Sequence, residues 1–183
     1  MPNERDFDIS HNIHPGRHFY QFYKNQDDLF RVMIPYFEAG LQKGEACLWL
    51  VSEKTGVRET SAFAESKIPR FFYYLASEQI RILPAEDWYL TNGIFDEEKA
   101  MSNAASAVAR IQKMGYHRLR AAGDAAAIPR RDWRRVHVYE ENITSLIRSA
   151  PLIALCAYPI LECSLPDTKS ILENHDSVLI GRF

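Results

Sequence analysis

Residues His18–Asp28 read HFYQFYKNQDD and pass from alternating aromatic residues to amides and carboxylates. Such alternation is typical of a β-strand, and Asp27 or Asp28 can cap a helix that follows. The stretch therefore predicts a first strand leading into a first helix, the junction where α/β proteins commonly bind ligands. In nucleotide-binding folds this turn is rich in glycine, because backbone N–H groups must close around phosphate. It contains no glycine here, which argues against a nucleotide triphosphate.

The same alternation of strand and helix patterns continues along the chain. Ala46–Val51 is a continuous apolar run, as in strands covered on both faces, and Leu152–Ala157 is another. Segments with apolar residues at helical spacing separate these runs. The pattern predicts a three-layer α/β sandwich with a mostly parallel central sheet. Its strands are expected at 18–23, 46–51, 79–83, 118–122, 152–157 and 178–180. Its main helices are expected at 27–44, from 57 into the sixties, at 97–114 and at 133–148.

Several local signals refine these boundaries. Pro35 predicts a kink or a late start in the first helix, and Gly40 and Gly44 predict its end. Residues 70–75 are expected to be irregular, after the interruption at Pro69. Residues 86–95 are expected to form a loop with a turn at Asn92-Gly93, before Asp96 caps the next helix.

Length and composition indicate one globular domain at residues 16–183, after a polar lead-in at residues 1–15. The 183 residues are 46% hydrophobic and 25% charged, with a net charge of −2. Such a balance argues against direct binding to nucleic acid or to an anionic membrane. The chain contains neither an apolar run long enough to span a bilayer nor a signal peptide. Three unevenly spaced cysteines indicate reduced thiols, so the sequence predicts a cytoplasmic protein.

Ligands of an open parallel sheet bind beyond the carboxyl ends of its strands. The predicted strands deliver Tyr23 and Asn25, Trp88, Asp124 and Tyr158 to that edge. Asp124 has two interpretations: a counterpart of the aspartate that holds Mg²⁺ in P-loop ATPases, or a turn residue after Gly123. The chain lacks the G-x-x-x-x-G-K-[ST] motif of the Walker A loop, which argues against ATP hydrolysis.

Histidines and cysteines do not suggest a metal site by their spacing. His14 and His18 are four residues apart, but helical i, i+4 geometry does not apply if His18 begins a strand. His175 is interpreted as a capping or turn residue and Cys156 as a small hydrophobic residue of a buried strand. We therefore expect neither a metal nor a cofactor, and we identify no catalytic residue.

Four segments occur in a familiar order: His18–Tyr23, Gly40–Val51, Tyr89–Phe95 and Ala154–Tyr158. Together they resemble the MEDS family, the methanogen/methylotroph sensory domain found in DcmR-like proteins. The resemblance covers residues 16 to 183. It implies a fold similar to that of the RecA/KaiC-like ATPases and other P-loop NTPases, without a working Walker A loop. It also implies a ligand-sensing domain for small hydrocarbon derivatives, coupled to a DNA-binding, kinase or anti-sigma module.

By match of position, the resemblance implies that five residues of this chain occupy the family's recurring polar positions. They are His18, Asp124, Glu140, Asn142 and Tyr158. Family members commonly carry glutamate where this chain has Asp124, so the shorter side chain alters the expected geometry. The chain ends at Phe183 without an output module, so a sensor of this kind is expected to signal through a partner or by self-association.

Three functional hypotheses follow. In the first, the chain is a non-catalytic sensor that binds a small, largely apolar molecule and signals to a kinase, an anti-sigma factor or a transcription regulator. Tyr20, Tyr23, Trp88 and Tyr158 form the walls of its crevice, while His18 and Asp124 orient a polar group. The second is a degenerate ATPase-like interaction module that binds nucleotide weakly or not at all. The third is an enzyme with His18 as base, which the placement of His18 and Asp124 at opposite strand ends disfavours.

Overall fold

The computed structural model of the chain describes residues 13–180, so residues 1–12 of the predicted lead-in lie outside the described part. The strands are β1 (Arg17–Tyr23), β2 (Ala46–Val51), β3 (Ile80–Pro84), β4 (Leu90–Thr91), β5 (Ile94–Phe95), β6 (Leu119–Asp124), β7 (Leu152–Pro159) and β8 (Ser177–Val178). The helices are α1 (Gln26–Gln42), α2 (Val57–Lys67), α3 (Phe71–Ala76), α4 (Ala85–Tyr89), α5 (Glu97–Lys113), α6 (Trp133–Ser149) and α7 (Leu165–Asn174).

Six of the strands form one sheet in the order β3-β2-β6-β7-β1-β8, and every neighbouring pair is parallel. The helices α1, α2 and α3 cover one face, around a core that includes Phe19, Phe37 and Trp49. The helices α4 to α7 cover the other face. The predicted three-layer α/β sandwich with a parallel sheet is therefore confirmed. The carboxyl ends of its strands lie along one edge, as the prediction required.

Helix α1 differs from the prediction at both ends. Asn25 caps its first turn by accepting a hydrogen bond from the backbone N–H of Asp28 at 3.0 Å, so the cap lies before both predicted aspartates. The helix neither starts late at Pro35 nor ends at Gly40, and it continues to Gln42 before Gly44 turns left-handed (φ 70°). Gly40 lies inside the helix, where the side chain of Arg120 packs directly against it and leaves no room for a β-carbon.

The segment from 70 to 95 is more regular than its sequence indicates. Residues 71–76 form α3, which Phe71 anchors in the core, and residues 85–89 form α4, which buries Ala85 and Tyr89 one turn apart. The predicted turn at Asn92-Gly93 is confirmed, because both residues have positive φ and join β4 to β5 as a hairpin. Tertiary packing explains the two extra helices, since short helices gain most of their stability from a buried face.

An ion pair lies within the layer between α1 and the sheet. Glu45 Oε2 is 2.6 Å from Arg120 Nε, and both side chains are only 1% exposed. Arg118 approaches the second carboxylate oxygen of Glu45 at 2.9 Å from a partly exposed position. None of the helices within residues 13–180 combines the length and the apolar character that a membrane crossing requires.

Candidate functional site

The structure divides the predicted site residues between the two faces of the sheet. Side chains alternate along a strand, so His18 and Tyr20 of β1 point to the face covered by α6 and α7. Tyr23 points to the opposite face, against the α1 layer. The sequence predicted a single crevice, but the structure places its residues in two separate groups.

The first group, which we call the strand-end cluster, consists of Tyr23, Ser52 and Asp124. The carboxylate of Asp124 accepts hydrogen bonds from the Tyr23 hydroxyl at 2.7 Å and from the Ser52 hydroxyl at 2.6 Å. It also accepts one from the backbone N–H of Ala126 at 3.0 Å, which caps a short 3-10 turn. Burial raises the pKa of Asp124, and the hydrogen bonds from Ser52 and Tyr23 act in the opposite direction. This capping contact agrees with the interpretation of Asp124 as a turn residue at the carboxyl end of a buried strand.

Two predicted site residues make local contacts elsewhere. Asn25 caps α1, as described above. Asn142 is exposed on α6, where its side-chain amide donates a hydrogen bond to Glu97 of α5 at 2.7 Å. The structure does not bring either residue together with the other predicted site residues.

The second group, which we call the buried cluster, lies between the sheet and the helices α6 and α7. The Tyr158 hydroxyl donates a hydrogen bond to Glu140 Oε1 at 2.7 Å. Three further side chains surround the other oxygen of that carboxylate. His18 Nε2 lies 3.5 Å and His175 Nε2 lies 3.8 Å from Glu140 Oε2, and the Cys156 sulphur lies 3.3 Å from His18 Nε2.

The orientation of both imidazoles is fixed through Nδ1. The Nδ1 of His175 lies 2.7 Å from the carbonyl oxygen of Ile171, and a carbonyl only accepts, so this nitrogen carries the proton. The Nδ1 of His18 lies 2.8 Å from the hydroxyl of Thr144. Because that hydroxyl donates its single proton to the carbonyl oxygen of Glu140 at 2.6 Å, His18 Nδ1 is also a donor. Both Nε2 atoms therefore present lone pairs to the centre of the cluster.

Burial sets the protonation of the buried cluster. It lowers the pKa of His175 to about 4 and holds the pKa of His18 well below its ordinary value. It raises the pKa of Glu140 to about 7, although the hydrogen bond from Tyr158 opposes this shift. At neutral pH the two imidazoles are thus uncharged, which is the form that accepts hydrogen bonds or coordinates metals.

A cavity of about 60 Å³ adjoins the buried cluster, between the sheet and the helices α4, α5 and α6. Small side chains leave this space open, and aromatic and branched side chains surround it. His18 and Cys156 are the members of the buried cluster that reach its wall, and Trp88 is the other predicted site residue there. A second, much smaller cavity beside it touches Glu140 and Tyr158. The small residues that line the first cavity are Ala104, Ala107, Ala121, Ala122, Gly123 and Ala154.

The expected aromatic walls are thus placed differently from the prediction. Trp88 lines the cavity of about 60 Å³ and Tyr158 the smaller one, while Tyr20 packs edge-on against the ring of His175 at 5.6 Å. Tyr23 lies across the sheet in the strand-end cluster. Tyr89 and Tyr139, which sequence reasoning did not select, line both cavities.

Sequence reasoning also missed two members of the buried cluster. Cys156 has a signal in the sequence, because it lies two residues from Tyr158 and must share its face of the strand. His175 is the C-cap residue of α7, in agreement with its interpretation as a capping residue, but its ring points into the cluster. The docking of α7 against α6 brings it there, and the local sequence carries no sign of that contact.

The β1–α1 junction gives no support to nucleotide binding. Its helix N-terminus, where a phosphate would bind, is capped by Asn25 and carries the carboxylates of Asp27 and Asp28 in the first turn. Nor do the residues of the enzyme hypothesis meet. His18 contacts Thr144 and Cys156 near the start of β1, while Asp124 contacts Tyr23 at the far end of that strand.

A family model described as "MEthanogen/methylotroph, DcmR Sensory domain" (MEDS) matches residues 17–176. The chain belongs to the MEDS family. No curated protein matches the sequence. The fold is similar to that of the flagellar accessory protein FlaH from Methanocaldococcus jannaschii, with a TM-score of 0.56 at 11% identity. That likeness covers 96% of this MEDS chain and 75% of the archaeal chain, and it shows a RecA-like fold. The family resemblance and the RecA-like fold predicted from the sequence are therefore confirmed, and the family indicates a sensory role.

Proposed function

We propose that this MEDS domain is a non-catalytic sensor that binds a small, largely apolar organic molecule between the sheet and the helices α4, α5 and α6. The observation that supports this most directly is the cavity, which has apolar walls and borders a polar cluster at one place. Ligand sites commonly combine apolar walls with a few polar groups that fix orientation. His18 and Cys156 supply those groups here.

The size of the cavity restricts the ligand. An engineered protein cavity of about 150 Å³ binds benzene, and the present one measures about 60 Å³. A molecule with a few heavy atoms, such as a short alcohol, a small halocarbon or a short acid, fits that space better than an aromatic ring. Glu140 and Tyr158 do not line this cavity. Their proposed role is to fix the position of His18 and the shape of the smaller cavity.

Signalling requires that the ligand favours one arrangement of the domain over another. The cavity lies between the sheet and three helices, so a ligand that fills it would add contacts to α5 and α6 at once. A ligand would therefore shift the population of domains towards one arrangement of the outer surfaces of α5 and α6. A kinase, an anti-sigma factor or a transcription regulator that contacts these surfaces is the proposed recipient of the signal. Self-association is a further route for the same signal.

A matched pair of substitutions on α5 tests the cavity. Ala107 lines it, whereas Ala105 is exposed on the same helix. We expect short alcohols, halocarbons and acids to include at least one that raises the melting temperature of the wild-type domain, because a ligand that binds only the folded state stabilises it. Ala107→Leu should abolish that shift by filling the space, and Ala105→Leu should retain it.

Calorimetric titration of the stabilising compound provides the second readout. A dissociation constant that is unchanged in Ala107→Leu would contradict the proposed site, even if the compound binds elsewhere. The absence of stabilisation by every compound of these classes would contradict the proposed ligand class. Catalytic turnover of the bound compound, measured as loss of substrate, would contradict the non-catalytic role.

A further inference from the structure

We propose that His18, Glu140, Cys156 and His175 bind a divalent transition-metal ion, for which Zn²⁺ is the best match. One ligand atom of each residue, namely two imidazole nitrogens, a carboxylate oxygen and a thiol sulphur, lies within 4.8 Å of all the others. The four residues come from β1, α6, β7 and the end of α7, so the fold assembles the site from distant parts of the sequence. The inference concerns a metal only and does not depend on the ligand of the neighbouring cavity.

Two of these atoms have no hydrogen-bond partner among residues 13–180. Glu140 Oε2 and His175 Nε2 are both buried and both lack a hydrogen bond. The Nδ1 proton of His175 is already used on Ile171, so Nε2 can only accept, and an ionised carboxylate oxygen can only accept as well. Two acceptors that face each other in a buried site need a cation between them or a proton, since burying a polar atom without a partner destabilises the fold.

The two separations from Glu140 Oε2 agree with tetrahedral coordination better than with hydrogen bonding. Around Zn²⁺, bond lengths of about 2.0–2.3 Å place neighbouring ligand atoms roughly 3.3–3.7 Å apart. The observed separations from Glu140 Oε2 are 3.5 Å to His18 Nε2 and 3.8 Å to His175 Nε2, and Cys156 lies 3.3 Å from His18. The two separations from the carboxylate are too long for strong hydrogen bonds between nitrogen and oxygen.

The surrounding residues also hold the ligands as metal sites require. Metal-bound histidines usually donate their other ring N–H to a carbonyl or a hydroxyl, which fixes the ring and the tautomer. Thr144 serves His18 in this way and Ile171 serves His175, while Tyr158 donates to the second oxygen of Glu140.

Charge balance favours a divalent ion. Binding converts the thiol of Cys156 to a metal-bound thiolate and releases its proton to solvent, and the carboxylate of Glu140 binds as an anion. The thiolate and the carboxylate together neutralise a 2+ ion, so the complete site carries no net charge in its buried position. Mixed nitrogen, oxygen and sulphur ligation in four positions suits Zn²⁺, and Co²⁺ can replace it as a spectroscopic probe.

Titration of the chelator-treated, full-length protein with Co²⁺ tests this site. We expect one Co²⁺ per chain, with the ligand-field bands of tetrahedral coordination and a thiolate-to-cobalt charge-transfer band. Cys156→Ser should remove the charge-transfer band. The matched control Cys163→Ser should keep it, because the Cys163 thiol donates to the carbonyl oxygen of Pro159 instead. His175→Gln should weaken Zn²⁺ binding by about tenfold or more, and His137→Gln should leave it unchanged.

Folding is followed by circular dichroism, so that a variant that fails to fold is recognised. If a variant does not fold, the proposal is tested on the wild-type protein. Zn²⁺ should raise its melting temperature, and a chelator should reverse the rise. Absence of tetrahedral Co²⁺ spectra in the folded wild-type protein would overturn the proposal. A charge-transfer band lost in Cys163→Ser but kept in Cys156→Ser would also overturn it.

Discussion

Glu45 and Arg120 are charged residues in the core of this domain. Because they are paired, a substitution of either one affects stability through the charge that it leaves behind. Arg120 donates to the Glu45 carboxylate and to the carbonyl oxygen of Tyr36, and its guanidinium lies 4.9 Å from the ring centre of Tyr36. Neither residue has a signal in the sequence that marks it as buried, since charged side chains are mostly exposed. The pair is visible only once α1 is packed on the sheet.

Arg120→Ala should destabilise the domain by about 3–5 kcal/mol, because it leaves the buried Glu45 without its main partner. Arg118→Ala is the matched control, since Arg118 is partly exposed and contacts the same carboxylate. We expect that variant to lose no more than about 1 kcal/mol. Urea denaturation measures both free energies of unfolding. Equal losses in the two variants would show that burial does not distinguish the two arginines.

Helix α1 shows at the scale of the element how a contact can override a local signal. Glycine lowers the stability of a helix interior, so the sequence predicted that Gly40 and Gly44 end the helix. A β-carbon at that position would lie 2.7 Å from both Cδ and Nε of Arg120 and 3.1 Å from the sulphur of Cys47. The close approach of the helix to Arg120 therefore requires glycine, and the helix continues past Gly40 to Gln42.

Gly40→Ala should lower the free energy of unfolding by about 1–2 kcal/mol. Alanine would improve the helix by about 1 kcal/mol, but the collision with a side chain held by Glu45 outweighs this gain. A double-mutant cycle with Arg120→Ala tests the cause. If Arg120 is the obstacle, Gly40→Ala should become neutral or stabilising in that background. A loss of the same size in both backgrounds would rule out the proposed collision.

At the scale of the whole molecule, Asp167 connects the region around α6 to α7. It caps α7 together with Ser164 and contacts Arg130 at 2.7 Å and His137 at 3.4 Å. Burial opposes its ionisation, but the hydrogen bonds from Ser164 and Arg130 outweigh burial and lower the pKa of Asp167 to about 2. Cys163 also faces this carboxylate and is uncharged at acid pH.

A pKa below the ordinary 3.8 means that ionised Asp167 stabilises the folded state. The contribution is complete above about pH 4 and is lost as the pH falls towards 2. Asp167→Asn should therefore destabilise the domain at neutral pH and reduce the loss of stability between pH 4 and pH 2. Chemical denaturation at a series of pH values measures the difference from the wild-type protein. If the free energy of unfolding depends on pH in the same way in both proteins, ionised Asp167 is not the cause of the loss of stability.

The candidate site was predictable in part. Six of its residues were selected from the sequence, namely His18, Tyr23, Trp88, Asp124, Glu140 and Tyr158. The order of strands and helices placed Asp124 at a strand end, and the family resemblance supplied His18 and Glu140. The division of these residues between two faces was not foreseen, because it depends on which strands are neighbours and on the register that pairs Tyr20 with Cys156.

The sequence by itself determined the α/β class, the parallel sheet, the family and the absence of a phosphate-binding glycine loop. These features depend on apolar periodicity and on motifs within short segments, which local chemistry controls. Only the tertiary structure decided that Glu140, Cys156 and His175 meet around one point and that small residues leave a cavity beside them. Contacts between residues up to 158 positions apart follow from the packing of whole elements, and no local pattern encodes them.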